Sequence, residues 1–386
     1  MISESIIETL ELNKMRKIQR LPQILRPFFE KVEFKNRAVM ILGSRGVGKT
    51  TFMLSKIKDK KIFYLSADNP LTSTSNLYEI GNTVFMAGYE GIAIDEVHYA
   101  KDWSINLKSL YDDFSDKIII ATDSNSMILR SGIGDLSRRF SKIQIPLMSF
   151  REYIALKEGI LLPKIDPFDP NEFNMKKIME STNVLANFRN FLKEGLRPIF
   201  LEWDYKEQIE NIIEKTIHSD IPFFVPQISD IHFRLMNAVI GFLAISKVPT
   251  LNIDKMCTEW GIGKIKLYQL LNVMEETGLI KIVRYAKDTK TFSKGAKIFF
   301  ADPSIYSVLN GDMGTRRESY IVEAFSDNGK SVFACKDERN GDFIINELTV
   351  EVGGRSKKVK KADYVIRDDI DLPYKNVIPL WLIAFM

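Results

Sequence analysis

Gly43-Ser44-Arg45-Gly46-Val47-Gly48-Lys49-Thr50 lies between an apolar run, Arg37-Ala38-Val39-Met40-Ile41-Leu42, and a helical pattern that continues through Thr51-Phe52-Met53-Leu54. The apolar run reads as a buried β-strand. Strand, Gly-rich loop and helix in that order are the setting a phosphate-binding P-loop requires. The glycines let backbone N–H groups close around a polyphosphate with no Cβ in the way. Ser44, Arg45, Val47 and Thr51 belong to the same cradle. Lys49 would reach the β- and γ-phosphates, and the Thr50 hydroxyl would ligand Mg²⁺. The helix that follows aims its unpaired donors and positive dipole end at those phosphates. A chance Gly-rich loop would have to match all eight positions and the flanking elements as well. The stretch therefore predicts a nucleoside triphosphate ligand.

Moving outward, Lys61 to Ser66, Gly91 to Glu96, Lys117 to Thr122 and Lys142 to Ile145 read as further strands, with helical patterns at Leu77 to Met86 and Trp103 to Phe114 between them. Alternation at this spacing predicts an α/β fold with a parallel, doubly wound sheet. Ile92-Ala93-Ile94-Asp95-Glu96 is an apolar strand ending in two carboxylates. Placed beside the P-loop strand, its C-terminal edge would deliver Asp95 to the metal shell, leaving Glu96 to polarise an attacking water. The bland alternative is a strand that ends in solvated acids. His98 reads as a hydrogen-bonded loop histidine, with a ligand role as the alternative.

Thr122-Asp123-Ser124-Asn125-Ser126 ends the fourth strand and suits either a phosphate contact, through Ser124, or a plain turn. Arg138 and Arg139 precede the fifth strand. A guanidinium there suits either the γ-phosphate of its own or a neighbouring subunit, or a surface basic pair.

The composition bounds these readings. The 386 residues carry 45% hydrophobic side chains and a net charge of +4. That is enough for two or three domains and too little charge for a nucleic-acid argument from the total. Cys257 and Cys335 are far apart and match no metal or redox spacing, as expected of ordinary thiols in a reducing compartment. No apolar run is long enough to span a bilayer and the first residues are polar and acidic, so a cytoplasmic protein without a membrane partner is expected. Residues 1 to 35 look helical, broken by Pro22 and Pro27. Val377 to Met386 fits a buried strand.

Asn252 to Gly261, Lys264 to Glu276, and a strand pair at Gly278 to Tyr285 and Ala296 to Phe300 read as a winged helix-turn-helix. Its hairpin holds Lys281, Arg284, Lys287, Lys290, Lys294 and Lys297 against Asp288. A basic wing suits DNA phosphates, and a hairpin used for protein packing is the alternative.

The P-loop, Ile94-Asp95-Glu96-Val97, the Thr122 to Ser126 cluster, Arg139 and Pro146-Leu147-Met148-Ser149-Phe150-Arg151-Glu152-Tyr153 resemble a prokaryotic AAA-type ATPase family whose C-terminal domain is similar to a PD-(D/E)xK nuclease. The resemblance implies ATP and Mg²⁺ as cofactors, Lys49, Glu96 and Arg139 as catalytic residues, and Thr50 and Asp95 on the metal. It departs at Asp123 and Asn125, where the family usually carries Gly and Ser. Together with the patterns along the chain, this gives four expected parts: an ATPase core at 1–150, a helical lid or linker at 151–232, a winged helix-turn-helix at 233–300 and a nuclease-like domain at 301–386.

In the last part, Glu318, Asp342 and Glu351 are the candidate nuclease-like acids. The lysine that assists water in such sites is replaced by Gly353, which favours a fold without cleavage. Arg355, Lys357, Lys358, Lys360 and Lys361 form a second basic run. Three readings follow: an ATPase coupled to a DNA- or protein-binding half, a slow nucleotide switch holding a protein partner or a second copy, and an ATP-gated metal-dependent nuclease.

Overall fold

Five short segments near the N-terminus form one parallel sheet, and the burial of the first four explains their apolar composition. β1 (Ala38–Leu42), β2 (Ile62–Ser66), β3 (Gly91–Asp95), β4 (Ile118–Asp123) and β5 (Ser141–Gln144) stand in the order β2-β3-β4-β1-β5 in this computed structural model. β1 and β3 are buried at every position, as strands covered by helices on both faces must be. The structure describes residues 3–72, 75–123, 136–202, 204–224, 228–247, 249–286, 295–354, 361–368 and 370–386. They fall into two compact units, Met1–Pro146 and Leu147–Met386.

In the first unit, α1 (Glu4–Gln19) and α2 (Pro27–Lys31) precede β1. The crossovers are α3 (Lys49–Ile57), α4 (Leu77–Met86) and α5 (Trp103–Asp113). Asn76 caps α4 by accepting the Glu79 N–H, the usual economy at a helix start. Leu10, Met40, Phe63, Leu65, Ile94, Leu107, Leu110 and Ile119 are among the residues that fuse α1, the sheet and α5 into one core.

One expectation is corrected. β3 does not lie beside the P-loop strand, because β4 is inserted between them, with Leu42 opposite Asp123 and Ile94 opposite Ala121. Periodicity identifies buried strands but carries no information on their lateral order, which the crossovers decide. All three strands still end at the same edge, so Asp95 is brought to the P-loop, with Thr122 and Asp123 interposed.

The second unit opens with helices α6 (Phe150–Glu158), α7 (Glu172–Ser181), α8 (Val184–Asn190), α9 (Tyr205–Lys215), α10 (Asp230–Ile245), α11 (Ile253–Trp260) and α12 (Lys264–Glu276). The antiparallel hairpin β6 (Ile280–Val283) and β7 (Lys297–Phe300) follows, then α13 (Ser304–Val308) and α14 (Met313–Asp327). A second sheet runs in the order β12-β11-β10-β9-β8, from β8 (Val332–Ala334), β9 (Phe343–Ile345), β10 (Leu348–Gly353), β11 (Tyr364–Arg367) and β12 (Val377–Pro379). β8, β9 and β10 pair antiparallel, whereas β10, β11 and β12 pair parallel.

Phe150 packs on Phe188, Phe191 and Phe385, and the buried Arg197–Asp302 pair meets at 2.7 Å. The Val377 to Met386 stretch is buried as expected but is strand only through Pro379. That proline fixes φ at −60° and caps a short helix, α15 (Leu380–Ile383).

Gly91 faces Ile118 across β3 and β4, and a Cβ built there would stand 2.5 Å from the Ile118 carbonyl oxygen. Since the obstacle is backbone, Gly91→Ala is expected to cost about 1–3 kcal/mol of unfolding free energy, read by urea denaturation.

Candidate active site

The loop between β1 and α3 takes a shape few sequences permit. Gly46 and Gly48 have φ of 77° and 96°, and a Cβ on Gly43 (φ 155°) would lie 2.6 Å from the Ile145 carbonyl oxygen. Side chains would be strained at all three positions. Lys49 turns back over the loop, and its Nζ donates to the carbonyls of Gly43 at 2.9 Å and Ser44 at 3.1 Å. Burial pushes the Lys49 ammonium below its ordinary pKa, while Glu96, Asp123 and Asp95 pull it back up. The ammonium therefore sits parked on weak acceptors in a site rich in carboxylates.

Asp95 is the meeting point. Thr50 Oγ1 donates to its Oδ2 at 2.8 Å, Tyr64 Oη donates to the same oxygen at 3.1 Å, and the Thr122 hydroxyl donates to Oδ1. Thr122 Oγ1 also accepts the Glu96 N–H at 3.1 Å. Glu96 itself holds a left-handed backbone, φ 49° and ψ 52°, a conformation that costs a non-glycine residue of order 1–3 kcal/mol. Its carboxylate faces Arg45 at 3.7 Å and His98 Nδ1 at 3.7 Å. His98 is buried and also stands 3.4 Å from Asp123 Oδ1, so it is a packed loop histidine between two acids.

The structure thus brings Gly43 to Thr51, Asp95 and Glu96 to one sheet edge. Ser124 lies outside the described residues. Of the readings open for Arg139, its own γ-phosphate, that of a neighbouring subunit or a surface pair, the first does not fit its position. It precedes β5, whose first residue, Ser141, pairs with Val39 at the opposite edge of the sheet. The sheet alone separates it from Leu42 by about 10 Å at 3.3 Å per residue. Its guanidinium grips Asp112 with two bonds of 2.7 and 2.8 Å.

Two participants, Arg26 and Tyr64, were not singled out in the sequence, and a third, Thr122, only as part of a cluster. Arg26, almost fully buried, donates to Val47 O at 2.9 Å and Pro146 O at 3.1 Å, bracing the loop from behind. Nothing around it in sequence marks it as a P-loop contact. Tyr64 sits mid-strand on β2 and looks like core. Thr122 belonged to the strand-end cluster, and its position as the last β-branched hydroxyl before the edge was the available signal.

In the second unit, Lys297 Nζ, from the expected basic wing, is buried against Glu318 Oε2 at 2.7 Å and Asp342 Oδ1 at 3.8 Å, over the Phe343 ring. Asp342 Oδ2 accepts the Val352 N–H at 2.8 Å. Glu351 is fully buried and faces Arg367 at 4.0 Å. Among the described residues, no three His, Cys, Asp or Glu side chains are placed to hold a metal ion. Glu318 and Asp342 are thus brought together, around an ammonium.

The described cations of the wing lie in the same unit. Lys281 faces Glu323 at 4.0 Å and Arg284 pairs with Glu275 at 2.7 Å, so the three described cations of the hairpin turn to acids of their own unit. Lys287, Asp288, Lys290 and Lys294 lie outside the described residues, as do Arg355, Lys357, Lys358 and Lys360. Among the described residues, no helix is long and apolar enough to cross a membrane. Cys257 is half-buried and Cys335 buried, both as free thiols.

This geometry agrees with comparison to known proteins. Residues 35–154 match the AAA domain family. That stretch is an AAA-type P-loop ATPase domain. An uncharacterised protein of Methanocaldococcus jannaschii is 28% identical over 373 residues, covering 85% of this chain and 78% of its own length. A Walker-type ATPase of Pyrococcus abyssi superposes with a TM-score of 0.39 at 12% identity, over 80% of this chain and 96% of that one. A STAND-class signal-transduction ATPase of Pyrococcus horikoshii, with a tetratricopeptide repeat sensor, gives 0.30 at 12% identity, over 76% and 43%.

Two expected outcomes test these contacts. Thr122→Val removes a hydroxyl that serves both Asp95 and the Glu96 N–H, and should lower unfolding free energy by about 1–3 kcal/mol in urea titration. Lys297→Met strips the buried acids of their cation, and should cost about 3–5 kcal/mol in the same measurement.

Proposed function

We propose that the N-terminal unit binds ATP with Mg²⁺ and hydrolyses it, and that the C-terminal half binds a partner without cleaving nucleic acid. The observation that carries the first part is the 2.8 Å contact between Thr50 and Asp95, since the two side chains suited to one cation already meet at the head of the P-loop. The donor set fits Mg²⁺, a hard cation that takes a hydroxyl and one or two carboxylates together with phosphate oxygens. When bound, the metal would supply charge neutralisation between the phosphate oxygens.

The chain's own residues supply the rest. The amides of Gly43 to Thr51 cradle the phosphates, and Lys49 leaves its loop carbonyls for stronger phosphate acceptors. Glu96 orients and deprotonates the attacking water, its backbone fixed by Thr122. Arg139, on the far edge from its own loop, serves catalysis only toward a neighbouring copy, after release from Asp112.

For the C-terminal half, we retain the divisions at 151–232, 233–300 and 301–386. Helices α10 to α12 followed by the β6–β7 hairpin support a winged helix-turn-helix. A helix carrying Glu318 and a mixed sheet with Glu351 on β10 and Asp342 just before β9 support a nuclease-like fold. The ammonium of Lys297 between Glu318 and Asp342 supports the absence of cleavage, because it occupies the charge a divalent metal would need. The internal pairing of the described wing cations favours a protein partner, a second copy included, over DNA.

Turnover of ATP with and without DNA tests the whole reading. Lys49→Ala should abolish nucleotide binding, and Glu96→Gln should bind ATP while losing about 10²–10⁴-fold in rate. A wild-type rate too small for Glu96→Gln to lower would point instead to a slow switch. Stimulation by DNA would replace the protein partner with a nucleic acid. Cleavage of DNA with Mn²⁺ that disappears in Asp342→Ala would overturn the non-cleaving assignment.

A further inference from the structure

The third hydroxyl on Asp95 leads out of the site and into α1, a helix that lies before the matched ATPase stretch at 35–154. Tyr64 Oη donates to Asp95 Oδ2 at 3.1 Å, and Lys17 Nζ, from the last turn of α1, donates to Tyr64 Oη at 2.7 Å. One turn earlier on the same helix, Lys14 Nζ is buried and donates to the Ile62 carbonyl at the start of β2, at 2.6 Å. The two lysines therefore fasten one face of α1 along the strand that presents Tyr64. The tyrosine ring is buried, so its hydroxyl is held to the partners named here.

Asp95 Oδ2 then has two hydroxyl donors on different elements. Thr50 belongs to the loop that grips phosphate, whereas Tyr64 belongs to a strand with no part in phosphate binding. Hydrogen-bonding a ligating carboxylate from a residue that is not itself a ligand is what outer-shell partners of metal sites do. They set the orientation of the ligating oxygen and its basicity. A lysine donating to the phenol oxygen polarises that O–H and strengthens its bond to the carboxylate.

We infer that Tyr64 and Lys17 are positioning residues for Asp95, through which the helix preceding the ATPase domain sets the affinity for Mg²⁺ with nucleotide. The inference rests on the assignment of Asp95 to the metal made above. It goes beyond that assignment by giving α1 a function besides covering the sheet. It also predicts that a partner which lifts α1 would weaken the metal without touching the P-loop.

The test is Mg²⁺ titration of the full chain with a fluorescent, non-hydrolysable ATP analogue, together with analogue affinity in EDTA. Tyr64→Phe keeps the ring and deletes the donor. It should raise the Mg²⁺ half-saturation concentration about 10–100-fold, while affinity in EDTA stays as in wild type. Lys17→Met, at an exposed position, should give a smaller shift in the same direction, and the double variant should be no worse than Tyr64→Phe. A packing defect would instead lower affinity equally with and without Mg²⁺. That result, or an unchanged Mg²⁺ midpoint in Tyr64→Phe, overturns the inference. A wild-type chain whose analogue binding ignores Mg²⁺ would remove the metal assignment of Asp95, and this inference with it. A wild-type response abolished by Asp95→Asn but untouched by Tyr64→Phe would remove the inference alone.

Discussion

A carboxylate with almost no access to water organises the first unit. Burying an ionised aspartate costs several kcal/mol unless donors replace its hydration. Asp95 obtains them from three hydroxyls, those of Thr50, Thr122 and Tyr64. These come from the start of α3, the end of β4 and the middle of β2, so satisfying one side chain requires a helix and two strands to arrive in register. The insertion of β4 between β1 and β3 follows the same logic. It places Thr122 where a single hydroxyl serves both Asp95 and the strained backbone of Glu96.

The charge arrangement is equally constrained. Asp95, Glu96 and Asp123 crowd an edge where Lys49, Arg45 and His98 are the facing nitrogen groups. Burial disfavours the charged form of Lys49, and the three acids counter it. The ammonium rests on two loop carbonyls, which are neutral and weaker acceptors than phosphate. A polyphosphate would therefore exchange poor partners for good ones without moving the loop that carries them. Arg26 adds rigidity from outside by holding the Val47 and Pro146 carbonyls.

Much of this was legible in sequence because it rests on local pattern. The P-loop declares itself by glycines that positive φ demands, and the strands by unbroken apolar runs. Asp95 and Glu96 stand out as acids closing such a run. What escaped is whatever depends on lateral order or facing. A sequence does not say which strand lies beside which, so Asp95 was placed next to β1. Tyr64 and Arg26 carry no local mark, since their partners lie 31 and 21 residues away. Lys297 was read as a surface cation, yet all four positions of β7 are buried, so the strand offers no solvated face for it. Pro379 turned an apolar run into a strand followed by a helix, which hydrophobicity alone does not distinguish.

The two units solve the same electrostatic problem in opposite ways, and that contrast bears on function. At Asp95 the direct donors are neutral hydroxyls, which satisfy hydrogen bonding but leave the negative charge in place, available to a cation. At Glu318 and Asp342 the partner is an ammonium, which satisfies hydrogen bonding and cancels charge together. A divalent ion arriving there would have to displace Lys297 into a buried position with no other described acid in contact, at a cost of several kcal/mol. It would also forfeit the cation–π contact with Phe343. At the first site the direct donors thus leave the carboxylate charge uncancelled, whereas at the second an ammonium of the β6–β7 hairpin ties Glu318 of α14 to Asp342 beside β9.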